Sequence, residues 1–116
     1  MNPVLDSIPY ARFLGVTIER RDGLLECVLP FREEIIGNPM LPAVHGGVIG
    51  AFLELTAILR LIDESGAQRV PKPINFAIDY LRSAGPAPTR ARPAGESPLA
   101  PAARCERRAC RSHPAG

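Results

Sequence analysis

An apolar stretch that contains a single carboxylate constrains this chain more than any other feature. From His45 to Leu59 the residues are mostly apolar or small, and Glu54 is the one fully charged residue among them. The apolar side chains cover most of a helical circumference, so the pattern predicts a buried helix over residues 45–63. A carboxylate inside such a helix is costly unless it is paired, hydrogen-bonded or used in chemistry. We therefore interpret Glu54 as a candidate catalytic residue, and a buried cap on a neighbouring amide is the structural alternative.

The residues before this helix indicate a short helix, a hairpin and a loop. Residues 4–13 predict a short helix that ends at Gly15. Residues 16–20 alternate between apolar and polar types, Asp22–Gly23 is a dipeptide typical of hairpin turns, and residues 24–31 give the return strand, so residues 16–31 predict a β-hairpin. Residues 32–44 contain two prolines and show no repeating pattern. We predict a loop for them.

The residues after the helix change character part-way. Residues 74–81 alternate, with apolar side chains on one face, and predict a third strand. Residues 84–116 contain nine Ala, six Pro and six Arg but no Val, Ile, Phe, Tyr or Met. Such a segment has little to bury, so we predict a folded domain over 1–83 and a disordered tail over 84–116. Native disorder is one explanation of the tail, and a GC-rich gene read out of frame from about Gly85 is the other.

Length and charge limit the functional classes. A chain of 116 residues is long enough for one domain. The N-terminus lacks the basic start of a secretory signal, and the longest apolar run is too short to span a membrane. Three cysteines at irregular spacing do not form a disulfide framework. We expect a cytoplasmic protein without membrane contact, and its basic tail lacks the aromatic residues that specific nucleic-acid binding would use.

Four motifs together resemble a known family. They are Asn38 and Pro39 in the loop, the His45-Gly46-Gly47 turn, Glu54 nine residues after that histidine, and Asp79-Tyr80-Leu81-Arg82 on the third predicted strand. In this order they resemble the hotdog-fold acyl-CoA thioesterases of the phenylacetic-acid-degradation type, over residues 10–82.

The resemblance implies a fold, a reaction and an assembly. The fold is α+β, with a curved antiparallel sheet wrapped around one long central helix. Its last strands are incomplete here, as in a truncated or frameshifted chain. The reaction is the hydrolysis of an acyl-CoA thioester, with no cofactor besides the CoA of the substrate. The assembly is a homodimer or homotetramer whose active sites lie between two subunits.

The helix start and Glu54 form the predicted catalytic centre. The first amides of a helix lack intrahelical acceptors and lie at the positive end of the helix dipole. Gly46 and Gly47 lack side chains, so a thioester carbonyl can approach these amides and use them as an oxyanion hole. The resemblance points to the Gly46 amide in particular. Glu54 then acts as the nucleophile or as a general base.

Other residues have predicted roles with a plainer alternative for each. His45 lines the site or supports the turn. Asn38 orients water or the thioester, or belongs to a loop turn; it precedes the histidine by seven residues where the family has six. The resemblance places Arg82 near the CoA phosphates and Tyr80 at the substrate, and a solvated strand-end arginine is the alternative for Arg82.

Five further side chains suggest simple packing or an incomplete metal site. Cys27 is expected to pack in a strand, and Thr56 to hydrogen-bond its own helix backbone. Cys105, Cys110 and His113 resemble metal ligands, but a full set is missing, so we predict no metal.

Two rival functions remain at this point. A hotdog hydratase or dehydratase also pairs a histidine with an acid, and its histidine carries a proton to or from a β-carbon. A non-catalytic module, or a chain inactive because its sheet is incomplete, is the other rival.

The coding DNA tests the origin of the tail. If the tail is read out of frame, another frame from about codon 85 should encode an alternating apolar and polar strand pattern. Sequencing that region decides the matter, since the lack of such a pattern in every other frame would contradict the frameshift explanation.

Overall fold

A computed structural model describes residues 3–66, 71–73, 75–94 and 102–107, without the side chains of 93–94 and 102–107. Its helices are α1 (Pro3–Ser7), α2 (Pro9–Leu14) and α3 (Gly46–Ser65), with a short 3-10 helix at Glu33–Ile35. Its strands are β1 (Thr17–Arg21), β2 (Leu24–Leu29), β3 (Ile36–Asn38), β4 (Leu41–Val44), β5 (Thr89–Ala94) and β6 (Ala102–Arg107).

An antiparallel sheet with the strand order β1-β2-β5-β6 packs against α3. Strands β3 and β4 form a separate two-stranded sheet. The core lies between α3 and one face of the large sheet. Phe52 and Leu59 of the helix and Leu25, Cys27 and Leu29 of β2 are all buried there. Alternate residues of a strand point to opposite faces of a sheet, so β2 contributes every second side chain to this core.

The predicted hairpin and long helix are confirmed. Asp22 and Gly23 have φ values of 55° and 78°, and positive φ at both turn residues is what a tight two-residue hairpin requires. The helix runs two residues further than the predicted 63, and it ends where Gly66 adopts the left-handed conformation at φ 68°.

The predicted helix over residues 4–13 is instead two short helices. The break falls at Ile8–Pro9, because Pro9 has no N–H to continue the first helix and suits the first turn of the second. Gly15 ends the second helix at φ 73°, as predicted.

The predicted loop over residues 32–44 is partly ordered. It contains the 3-10 helix and the small β3–β4 hairpin. The side chain of Asn38 accepts a hydrogen bond from the Met40 amide at 2.9 Å and closes the turn between these two strands.

The predicted third strand over residues 74–81 is wrong for the part that the structure describes. Residues 75–81 have no strand pairing, and Ile74 lies outside the described residues. The predicted alternation is nevertheless present, since Phe76, Ile78 and Tyr80 all point toward α3. The segment lies against the first turns of the helix and pairs with no strand among the described residues.

The predicted disorder of residues 84–116 is wrong for β5 and β6. Thr89 and Ala91 are small enough to be fully buried beside β2, where they stand opposite Leu29 and Cys27. Because Thr89 and Ala91 are small, they fit against β2, and β5 can form although it contains no large apolar residue. Residues 95–101 and 108–116 of the predicted tail lie outside the described residues.

An ion cluster holds β5 on the opposite face of the sheet. Glu19 and Glu26 stand opposite each other on β1 and β2, and Arg90 of β5 binds both, with 2.7 Å to Glu26. The hydrogen bond from Arg90 to Glu26, and then that to Glu19, raise the pKa of Arg90, which stays positively charged. Without this arginine two like charges would face each other across the strands.

Replacing Arg90 with methionine should destabilise the protein. The Glu26 side chain is only 6% exposed and would lose its cation, so we expect a lower urea midpoint than in the wild-type chain. The matched control is Arg21→Met on the exposed β1, for which we expect little change. Equal midpoints for both variants would contradict the role given to Arg90.

Candidate active site at the start of the long helix

His45 is the N-cap of α3 and satisfies the amide two residues ahead. Its Nδ1 accepts a hydrogen bond from the Gly47 N–H at 2.9 Å. Its carbonyl oxygen accepts from the amides of Val48 and Ile49 at 3.0 and 3.1 Å. Its own N–H donates to the Ile35 carbonyl at 2.7 Å. The turn is therefore held by the histidine through three of its polar groups.

The Gly46 amide is left open by this arrangement. As the first residue of α3 it has no intrahelical acceptor, and no acceptor contacts it among the residues that the structure describes. The Gly47 N–H donates to the imidazole of His45, whereas the Gly46 N–H has no acceptor among the described residues. The oxyanion hole stays a prediction, and Gly46 is the amide favoured by this arrangement.

The segment that follows the helix contacts Gly46 at its carbonyl group. The Tyr80 hydroxyl donates to the Gly46 carbonyl at 2.8 Å. A β-carbon placed on Gly46 would lie 3.3 Å from Cε1 of Tyr80, so a side chain there would press on the ring by a few tenths of an ångström. One turn along, a β-carbon placed on Gly50 would lie 3.8 Å from Cζ of Phe76 and 3.9 Å from Cδ1 of Ile78. Glycines four residues apart form the shallow surface on which this segment lies.

Glu54 follows two turns after Gly46 on the same helix. It is half-buried, and within the described part of the chain it forms no hydrogen bond or ion pair. The structural alternative, a cap on a neighbouring amide, therefore has no partner among these residues. A half-buried carboxylate without a partner is free to act on a bound molecule.

Gly46 and Glu54 of one chain are too far apart to act on one carbonyl group. Eight residues of α-helix rise about 12 Å, whereas a reacting atom must lie about 3 Å from both groups. Helix geometry thus separates the Gly46 amide and the Glu54 backbone along the axis of one chain's α3.

Two solved structures are similar to this chain. A protein from the thioesterase superfamily has a TM-score of 0.67 at 25% identity, over 77% of this chain and 67% of that one. A protein from Chromobacterium violaceum has a TM-score of 0.59 at 27% identity, over 88% and 82% of the two chains. The chain has the thioesterase-like hotdog fold. This confirms the predicted fold class of one long helix packed against an antiparallel sheet.

Comparisons by sequence add no family to this hotdog chain. No family model matches the sequence, and no curated protein matches it. Within the described residues, no helix has the length and apolarity needed to cross a membrane.

The remaining predicted site residues lie on exposed parts of the hotdog domain. The side chain of Asn38 is exposed and closes its own turn, which matches the loop-turn alternative. Arg82 is exposed just beyond Tyr80. Both residues stay predictions as substrate contacts.

The described residues contain no cluster of three or more metal-ligating side chains. Cys110 and His113 lie outside these residues, as does the side chain of Cys105.

Cys27 and Thr56 take the packing roles that the sequence predicts. The Thr56 hydroxyl donates to the Phe52 carbonyl at 2.9 Å within the helix. Cys27 is fully buried, and this burial raises the pKa of its thiol to about 11. A thiol that stays protonated near neutral pH and is shielded from solvent is not a nucleophile.

Cys27 should resist alkylation in the folded protein. At pH 8 we expect iodoacetamide to leave it unmodified, because the thiolate population is small and the sulfur is covered. The same residue should react within minutes in concentrated urea. Peptide mass spectrometry resolves this cysteine from the other two, and rapid labelling of Cys27 in the folded state would contradict the burial.

Proposed function

We propose that this chain hydrolyses an acyl-CoA thioester to a free acid and CoA, as hotdog thioesterases of the phenylacetic-acid-degradation type do. The observation that carries the proposal concerns the Gly46 amide at the start of α3 and the Glu54 carboxylate on the same helix. Neither group has a hydrogen-bond partner among the residues that the structure describes. The similarity to a protein from the thioesterase superfamily supports the same reaction class.

The Gly46 amide serves as the oxyanion donor. It polarises the thioester carbonyl at the positive end of the helix dipole and stabilises the oxyanion that forms during attack. A preorganised donor of this kind is worth about 3 kcal/mol in the transition state. The second amide of the turn is held by His45, which keeps the helix start rigid instead of binding the substrate.

Glu54 activates the attack. As a general base it takes a proton from water, the water oxygen bonds to the carbonyl carbon, and the carbon–sulfur bond then breaks. The departing thiolate takes up the proton, and the products are a carboxylic acid and CoA. In the nucleophilic variant a Glu54 oxygen bonds to the carbonyl carbon, the carbon–sulfur bond breaks, and CoA leaves as the thiolate. Water then hydrolyses the mixed anhydride, which frees the acid and the Glu54 carboxylate, and the proton released from water goes to the thiolate.

A complete site requires two copies of the chain. Since Gly46 and Glu54 of one helix are separated by about 12 Å along its axis, one carbonyl group cannot contact both. We propose a homodimer in which the amide comes from one copy and the carboxylate from the other. Association of two dimers into a tetramer is compatible with this arrangement.

Arg82 supplies the cation for the CoA phosphates. It is exposed two residues after Tyr80, whose hydroxyl contacts Gly46, so it lies on the segment that borders the open amide. A guanidinium group presents several N–H donors in a geometry that suits phosphate oxygens. No cofactor is needed beyond the CoA that belongs to the substrate.

Replacing Glu54 with glutamine tests the proposal. The amide keeps the size of the side chain but cannot take a proton or attack, so turnover of acyl-CoA should fall by roughly 10²–10⁴-fold. A chromogenic thiol reagent follows the CoA that is released, across short, long and aromatic acyl groups. A hydratase would instead change the enoyl absorbance without freeing a thiol.

The matched control is Glu64→Gln, the same change on the exposed end of α3. Its salt bridge with Arg60 is a surface contact, so turnover should be preserved. Both variants should keep the wild-type circular dichroism. Unchanged turnover in Glu54→Gln would refute the proposed role and favour a non-catalytic module.

A further inference from the structure

The peptide unit between Gly46 and Gly47 is held at both ends by side chains. At one end its carbonyl oxygen accepts the Tyr80 hydroxyl proton at 2.8 Å. At the other end its N–H, which belongs to Gly47, donates to Nδ1 of His45 at 2.9 Å. These two groups lie in one plane because the peptide bond does not rotate freely. Tyr80, which follows the helix, and His45, which precedes it, thus form hydrogen bonds with the same peptide plane.

These two hydrogen bonds restrain the backbone at a place where two consecutive glycines begin the helix. Glycine has wide freedom in both backbone dihedrals, so a Gly-Gly turn without side-chain contacts would sample several orientations. The Gly46 N–H lies in the preceding peptide plane, whose carbonyl oxygen, that of His45, accepts from Val48 and Ile49. Holding the Gly46–Gly47 plane restrains φ and ψ of Gly46, the two dihedrals between these planes. The direction of that N–H then varies little.

We propose that Tyr80 is a positioning residue that aims the Gly46 amide at the thioester oxygen. The inference rests on the proposed function and adds a residue to its machinery. It also changes the assignment of Tyr80, for which the resemblance implied a substrate contact. The hydroxyl has one proton, and that proton is donated to the Gly46 carbonyl, so the group cannot also donate to a substrate.

The ring contributes to the same effect by packing. The position of a Gly46 β-carbon lies 3.3 and 3.4 Å from Cε1 and Cζ of Tyr80, so the ring lies directly against the glycine. The phenol therefore restrains the turn in two ways, by contact and by a hydrogen bond. Removing the hydroxyl alone abolishes the hydrogen bond and keeps the packing contact of the ring, so the two effects can be measured separately.

The variant Tyr80→Phe tests the inference because it keeps the ring and removes the hydrogen bond. We expect kcat for acyl-CoA hydrolysis to fall about tenfold with KM little changed, since misdirecting a catalytic group affects the transition state more than binding. The NMR resonances of the Gly46 and Gly47 amides should shift, and the Gly47 amide should lose protection against hydrogen exchange. Loss of a substrate contact would instead raise KM.

Tyr10→Phe is the matched control. Tyr10 is the other tyrosine of the chain and is also about half exposed, but it lies on α2 and stacks on Phe13. This variant should keep the wild-type kcat and the same Gly46 and Gly47 resonances. A Tyr80→Phe variant with wild-type kcat would overturn the inference, as would one whose loss lies in KM.

The two proposals fail in different ways. If the wild-type chain releases no thiol from any acyl-CoA, the proposed function fails. In that case the NMR resonances and hydrogen exchange of the Gly46 and Gly47 amides still test the two hydrogen bonds to this peptide plane, because these measurements need no substrate. Unchanged resonances and unchanged Gly47 exchange in Tyr80→Phe would then overturn the clamp itself.

Discussion

The burial of one face of α3 against the sheet is the interaction on which the rest of the structure depends. Phe52 and Leu59 lose nearly all contact with water there, opposite Leu25 and Leu29 of β2. Each large apolar side chain buried in this way contributes roughly 1.5–3 kcal/mol, which is a large part of the net stability of a small domain. Because this face is committed to the core, the orientation of the helix about its own axis is set. Where Gly46, Gly50 and Glu54 point follows from it.

The start of the helix is held from three directions. The Val44 amide donates to the Ala84 carbonyl and the His45 amide to the Ile35 carbonyl, at 2.8 and 2.7 Å. Tyr80, on the segment that follows the helix, adds a side-chain hydrogen bond to the Gly46 carbonyl. A site built on these residues has a rigid scaffold although it consists of a turn and glycines, and rigidity of that kind is what a preorganised oxyanion donor requires. The proposed catalytic residue, in contrast, stands free of partners in the described chain, as a group that must reach a substrate should.

Local patterns in the sequence predicted the elements whose stability comes from nearby residues. Asp22–Gly23 suits the positive φ values of its turn, and the apolar periodicity of α3 specifies its length, with Gly66 ending it. The predictions that were wrong concern segments whose structure depends on contacts with residues distant in the sequence. Residues 75–81 carry a strand alternation, yet their apolar side chains face the helix and the backbone is unpaired in the described residues. Residues 89–94 have a composition typical of disorder, yet small side chains and the contact of Arg90 with Glu19 and Glu26 place them in the sheet.

The sequence by itself determined the long apolar helix, the His-Gly-Gly turn that begins it and the lone carboxylate within it. These features depend on residue type and on spacing within one helix. Only the tertiary structure decided which glycine amide is open, because that depends on where the imidazole of His45 points. It also decided that Tyr80 contacts the helix start. The separation of Gly46 and Glu54, in contrast, follows from their spacing on one helix. Contacts between separate elements arise from packing, which the order of the residues does not display.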